Sequence, residues 1–275
     1  MEPSDAALVA GGGLLAGAVN AIAGGGTLIA FPALLATGMP ALTANITSSV
    51  GLLTGYAGGA FGYRRELRGQ AHRLRALAPP ALFGGLVGAI VLLLTPSDGF
   101  KRAVPFLVLA ACLLLAVQSR LAAVVARRRA ATVASAPSTA SVTASRSATA
   151  VTPAVAGNDI TWPTRIGVFV AGVYGSYFGA GLGVLLLGVL GILLVDELQR
   201  TNALKTLLSF GVNAVGVLIF LVAAQVSWAF AGILVVTSAC GGVLGARAAR
   251  LLPATVLRTA VVILGVVVAV VLLVR

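Results

Sequence analysis

Charge is what this sequence has least of. Only 9% of its 275 residues are Asp, Glu, Lys or Arg, where an ordinary soluble domain carries about a quarter. There are seven acidic residues, one histidine and two cysteines. With 59% hydrophobic residues and a mean hydropathy of +1.06, that scarcity excludes a soluble enzyme, a disordered chain and a nucleic-acid-binding domain. Cys112 and Cys240 lie in separate apolar runs without His or Cys neighbours. They read as two small buried thiols rather than a metal site or a disulfide. No carboxylate falls inside an apolar run, since Asp196 and Glu197 stand at a segment end. Neither an acid–base pair nor a relay of buried acids is visible, and nothing calls for a cofactor or a metal. His72 stands in a basic loop without a ligand partner and reads as solvated. These absences together argue against an enzyme.

The charge that is present is strongly one-sided. The net value of +12 comes from 17 Arg and 2 Lys gathered in short stretches, so they are topology signals before anything else. Residues 6–63, 76–97, 103–119, 166–195, 206–246 and 259–274 contain no charged side chain. A spanning helix needs roughly 20 apolar residues, so these runs hold about eight membrane segments. Short alternating strands are missing, which argues against a barrel. The start, MEPSDAALVAGGG, is acidic and lacks a signal-peptide pattern. The expected class is an all-α polytopic protein of the lipid bilayer, with no nucleic-acid partner.

Residues 130–160, rich in Ala, Ser, Thr, Val and Pro, read as a low-complexity linker. They divide the chain into a first membrane repeat, 1–129, and a second, 161–275. The halves resemble each other. Gly17-AVNAIA-Gly24-Gly25-Gly26 pairs with Gly172-VYGSYF-Gly179-Ala180-Gly181, a shift of 155. Ala44-Asn45-Ile46-Thr47 pairs with Asn202-Ala203-Leu204-Lys205, a shift of 158.

Repeat and charge together choose a topology. If each Gly-interrupted segment, 6–37 and 166–195, were one full span, Arg200, Arg247 and Arg250 would fall opposite the basic loop 63–75 and Arg127-Arg128-Arg129. If each segment is instead a re-entrant hairpin, every half has three further spans and the halves are inverted. All of those arginines then share the cytoplasmic side, as the positive-inside rule favours. Only Lys101, Arg102 and Arg275 are left on the wrong side. Hairpin arms of about 15 residues reach roughly 22 Å, so their tips come near mid-membrane.

The Gly24-Gly25-Gly26 and Gly179-Ala180-Gly181 breaks also carry the candidate chemistry. Glycine leaves backbone amides uncovered, and irregular backbone at membrane depth needs protein or a water-filled cavity around it. Two half-helices meeting at such breaks aim positive dipole ends at one spot, which makes an anion site. Helix packing accounts more plainly for many glycines, Gly51, Gly55 and Gly59 among them. Lys205 is the one charge between Arg200 and Arg247. It either serves the substrate or snorkels to the interface from its place near a helix start. Asn202, Lys205, Thr206, Ser209 and Asn213 share a helix face; Asn45, Thr47, Ser48 and Ser49 form its counterpart. Asn20 stands near the first break, and Tyr174 and Tyr177 near the second. The candidate substrate contacts are therefore Asn20, Gly24, Gly25, Gly26, Asn45, Thr47, Ser48, Gly179, Ala180, Gly181, Asn202, Lys205 and Thr206. The spaced glycines 179, 181 and 183 do not form a dinucleotide fingerprint, because no strand precedes them.

The stretch Gly17–Tyr63, with Asn20, Gly24-Gly25-Gly26, Pro32 and a Thr-Ser-bearing helix, resembles the opening repeat of the sulfite exporter TauE/SafE family. The block Asn202-Ala203-Leu204-Lys205 after a Gly-rich hairpin is similar to that family's second repeat. The resemblance covers nearly all of the chain outside 119–163. It departs from a symmetric site at Gly175, which faces Asn20 in the alignment of the halves, and at Ala180. What it implies is a multi-pass protein of the cytoplasmic membrane that carries a small anion: a sulfur oxyanion, a sulfonate or an organic carboxylate. The alternative is an anion channel using the same site without alternating access. Neither substrate, direction, coupling ion nor oligomeric state follows from the residues.

Overall fold

The computed structural model describes residues 2–22, 24–134, 160–194, 196, 198–248 and 254–274. Among them are ten helices and no strand. They are α1 (Pro3–Ile22), α2 (Thr27–Ala36), α3 (Ala41–Gly62), α4 (Ala71–Leu94), α5 (Ser97–Ala134), α6 (Trp162–Tyr177), α7 (Leu182–Leu193), α8 (Leu198–Ala223), α9 (Trp228–Ala248) and α10 (Ala254–Val274). Four stretches are long and apolar enough to cross a bilayer: Ala71–Leu94, Ser97–Val117, Gln199–Ala223 and Trp228–Gly245. That is fewer than the six full spans expected. Helix α3 has the length, at 22 residues, but is diluted by Asn45, Thr47, Ser48, Ser49 and its glycines. In α10 the apolar stretch is the shorter Val261–Leu272. The first residues of the expected linker, up to Ala134, continue α5; positions 135–159, and with them most of that linker, lie outside the described residues, as do Arg250 and Arg275.

Both Gly-rich segments fold back on themselves. A Cβ built on Gly12 of α1 comes to 2.9 Å of the Ala33 Cβ on α2, and one on Gly26 meets the Ala16 carbonyl, so the two helices run antiparallel. Helices α6 and α7 repeat this, with Gly167 against Val189 and Gly175 against Leu182. The arms are less even than expected, 20 and 10 residues in the first hairpin and 16 and 12 in the second. The turns need glycine: Gly24, Gly179 and Gly181 have φ of 84°, 78° and 85°, a left-handed region that costs L-residues about 1–2 kcal/mol.

Small residues then let the helices approach, as they do where no water drives association. Gly13 and Gly17 of α1 lie on Leu234, Thr237 and Ser238 of α9, and Gly245 lies on Ala18; the two helices run parallel. Gly51 and Gly55 of α3 face Leu234 and Ser238 of the same helix, and Gly59 faces Thr206 of α8, so this spaced trio is a contact face. Thr54 Oγ1 donates to the Val235 carbonyl at 2.7 Å. In the same way Gly84 and Gly88 of α4 receive Phe169 and Val173 of α6. The pairing has a regular pattern. Replacing every helix by the one five places on turns α1–α9 into α6–α4, and α3–α9 into α8–α4, and all of these pairs are present. Helix α3 packs on its own counterpart α8, and α5 on α10. Along α3 and α8, Gly59 meets Thr206 and Val50 clusters with Val217, while Thr47 meets Ser227 just beyond the end of α8, so these counterparts run antiparallel.

One expectation needs correcting. Cys112 is buried, but Cys240 is exposed. Helix α9 turns Ser238, Gly241, Gly242 and Gly245 toward α1 and α3, which leaves Cys240 on the outward face. His72 is exposed, as expected.

One close backbone approach joins the two hairpins. A Cβ on Gly183 would come 2.9 Å from the Gly24 Cα, whereas one on Gly232 meets nothing within 4 Å. Gly183→Ala should lower stability in detergent by about 1–3 kcal/mol, the range for overpacking, while Gly232→Ala leaves the unfolding midpoint unchanged or raised. Equal midpoints for the two variants would contradict the tip-to-tip contact.

Candidate functional site

The site grows from that contact. Helix α2 starts after Gly26 and α7 after Gly181, so two helix N-termini, with their partial positive charge, lie side by side in the interior. Thr27 Oγ1 is 3.4 Å from a Cβ built on Gly179. Several first-turn amides are used locally: Leu28 N–H donates to the Gly25 carbonyl at 3.0 Å, and Val184 N–H to the Gly181 carbonyl at 2.9 Å. The Gly26 N–H donates to Asn20 Oδ1 at 3.2 Å. Asn20 and Gly26, expected as separate ligand contacts, are thus used in part on each other. This bond fixes the Asn20 carboxamide with Nδ2 pointing away from it. The second half differs here, because the Leu182 side chain fills the space beside Gly175.

The other expected residues fall into two groups on either side. Toward one end, Asn45 Nδ2 donates to the Tyr177 carbonyl at 3.0 Å and Ser48 Oγ to the Asn45 carbonyl at 2.8 Å. Thr47 Oγ1 accepts the Ser227 N–H at 3.2 Å. Toward the other end, Thr206 Oγ1 donates to the Asn202 carbonyl at 2.8 Å, and Asn202 is half-buried. Lys205 is only 2% exposed and is engaged by a neighbouring group, so it does not snorkel out of the protein. Lys205 is two turns, about 12 Å, from Asn213 along α8. The structure therefore brings together Asn20, Gly24–Gly26 and Gly179–Gly181, and strings the remaining candidates along α3 and α8 above and below them.

Two residues at the junction were not among the expectations, Thr27 and Tyr56, both 4% exposed. The Tyr56 hydroxyl sits beside the side chains of Asn20, Thr27 and Asn213. A signal for Tyr56 exists in the sequence: it follows Gly55 inside the Gly51/Gly55/Gly59 contact face, where an aromatic hydroxyl must point into protein. Unpaired polar atoms are rare in interiors, yet Asn20 Nδ2, Asn45 Oδ1, Tyr56 Oη, Tyr174 Oη and Ser209 Oγ are all buried without a hydrogen-bond partner. These five are on the hairpins or on the two helices that cross beside them; the other two such atoms among the described residues, Glu66 Oε2 and Gln70 Oε1, are in the basic loop.

One end of the molecule carries a cluster of paired charges. Arg73 of α4 pairs with Asp196, which also accepts from Arg200 Nε at 3.2 Å. Gln70 Nε2 donates to the Arg200 carbonyl at 3.0 Å. The basic loop 63–75 and Arg200 thus share one end. Thr95 and Ser227, near Tyr177 and Thr47 respectively, are at the other.

These features define a polytopic, all-helical membrane transporter with a polar junction between two broken-helix hairpins. The particular family is then given by comparison: the model of the sulfite exporter TauE/SafE family matches residues 9–272, and the chain belongs to that family. It is 28% identical over 263 residues to the "Probable membrane transporter protein ORF9" of a Sinorhizobium species, covering 94% of this chain and 88% of that one. It is 24% identical over 253 residues to a "Probable membrane transporter protein" of Haemophilus influenzae, covering 92% and 88%. No solved structure matches it significantly.

The ion pair predicts a coupling that can be measured. A double-mutant cycle of Arg73→Gln and Asp196→Asn, followed by unfolding in detergent, should give a favourable interaction of about 0.5–3 kcal/mol, the range for contacting residues. Additive effects would contradict the pairing.

Proposed function

We propose that this transporter moves a small anion (a sulfur oxyanion, a sulfonate or a carboxylate) across the cytoplasmic membrane by alternating access. The observation that carries this reading is the meeting of two helix N-termini, at Gly26 and Gly181, beside buried polar atoms that have no partner in good geometry, Asn20 Nδ2 and Tyr56 Oη. Positive helix ends and unpaired donors suit an anion stripped of its water. In this reading 1–129 and 161–275 are inverted repeats, and 130–160 is a cytoplasmic linker. Each repeat is a re-entrant hairpin followed by three spans. Support comes from the antiparallel α3 and α8, since counterparts related by an axis in the membrane plane must point opposite ways. The shared end of loop 63–75 and Arg200 is the arrangement that the positive-inside rule favours.

The anion rests at the junction against Asn20 and the backbone of Gly24–Gly26 and Gly179–Gly181. Asn45, Thr47 and Ser48 on one side, and Asn202, Lys205 and Thr206 on the other, line its approach. Rocking of one repeat against the other opens the two ends in turn. The Arg73–Asp196–Arg200 cluster, with members from both repeats, closes the cytoplasmic end in the present state. Lys205 supplies the buried positive charge nearest that end.

Proteoliposome uptake tests this with labelled sulfite, methanesulfonate and acetate. Lys205→Ala should cut flux of the accepted anion by about tenfold or more, as loss of a charged hydrogen bond implies, with its unfolding midpoint retained. Unchanged flux would remove Lys205 from the mechanism. Counterflow, the transient build-up of label against unlabelled internal anion, is expected; its absence at high flux would mark a channel.

A further inference from the structure

The junction holds one polar group that neither the family match nor the repeat pattern singles out. Tyr56 comes from α3, not from a hairpin, and is fully enclosed at 4% exposure. Its hydroxyl is surrounded by Asn20 and Thr27 of the first half and Asn213 of the second. All three lie within hydrogen-bonding reach of it, yet none meets it in well-formed hydrogen-bond geometry. Two further orphans come from Asn20 itself and from the neighbourhood of Asn213. Asn20 has committed its oxygen to the Gly26 N–H at 3.2 Å, so what it has left is Nδ2, which can only donate. Ser209 lies one turn from Asn213 on α8, joined to it by the Asn213 Nδ2 bond to the Ser209 carbonyl at 3.0 Å, and its own Oγ is unpaired.

Leaving three buried hydrogen-bonding groups unmade is expensive, and a fold keeps such a set only where something else completes it. We infer that Tyr56 Oη, Asn20 Nδ2 and Ser209 Oγ form a three-point donor cradle at the junction, and that Tyr56 is its specificity-determining residue. The inference rests on the transport reading above and deepens it. The cradle spans both halves, with α1 and α3 on one side and α8 on the other. It is matched to a head group that only accepts hydrogen bonds, such as an ionised oxyanion. An alcohol, an amine or a protonated acid brings a donor of its own. Against Asn20 Nδ2, which has no acceptor to offer, that donor is left unpaired.

Tyr56→Phe removes a hydroxyl that has no well-formed partner within the protein, so it should leave the unfolding midpoint unchanged or raise it. In proteoliposomes assayed with labelled sulfite, methanesulfonate and acetate, it should raise KM for whichever anions the wild type moves by about tenfold or more, the effect of losing a hydrogen bond to a charged group. The maximal rate should change far less. It should also abolish the rise in unfolding midpoint that those anions give the wild type. Ser209→Ala should act in the same direction. Tyr174→Phe is the control: that hydroxyl is equally orphaned but sits beside Cys112 of α5, and its loss should leave KM within about twofold. A Tyr56→Phe KM within about twofold of wild type, or an equal effect of Tyr174→Phe, overturns the assignment while the transport reading stands. A wild type that moves none of the three anions overturns both.

Discussion

Everything in this fold hangs on two glycines being allowed to touch. Gly24 and Gly183 meet Cα against Cα at the interior ends of two hairpins, where a side chain on either would come within 3 Å of the other. Because they meet, α2 and α7 begin at the same place and point their positive ends into it. Because the chain turns back there through left-handed glycines, backbone that is not helical sits inside protein rather than in lipid, the condition under which a membrane tolerates it. The longer helices are scaffolding for this contact. Their small-residue faces bring α9 onto α1 and α3, and α4 onto α6 and α8, closely enough to hold the hairpin tips in register.

On the proposed reading, the same geometry lets so uncharged a protein handle a charge. The described interior holds amides, hydroxyls and helix ends rather than rows of ionised groups; Lys205 is the buried cation. Neutral donors cost far less to desolvate than isolated ions. At one end Arg73, Asp196 and Arg200 form charge pairs that tie the first half to the second.

Much of this was legible in the sequence, and the parts that were not failed for definite reasons. The hairpins could be read because clustered glycines break an apolar segment at matching places in both repeats, and a broken helix at membrane depth has to turn back into protein. The sharing of one end by loop 63–75 and Arg200 could be read because arginine placement follows membrane sidedness. Contacts between helices were harder. Thr47 belongs to the Asn-x-Thr-Ser pattern that suggested substrate contact, yet its oxygen accepts the Ser227 N–H, a partner 180 residues away that no local pattern encodes. Tyr56 was missed because its importance depends on what α1 and α8 bring to it. Cys240 looked buried because an apolar run does not say which face of its helix meets protein and which meets lipid. The uneven arms, 20 residues against 10, reflect where α1 finds α9 to pack on, again a tertiary matter.

The central claim is that the two halves cross the membrane in opposite senses with their hairpin tips meeting between them. It is tested most directly by labelling single cysteines in intact cells with a membrane-impermeant thiol reagent, after Cys112 and Cys240 are replaced. Arg68→Cys and Gln199→Cys lie at the end that carries the Arg73–Asp196 pair; Pro96→Cys and Gln225→Cys lie at the opposite end, and all four positions are exposed. The predicted result is labelling at 96 and 225, and protection at 68 and 199 until the membrane is opened. Labelling at 199 with protection at 68 would put the two halves in the same orientation and contradict it.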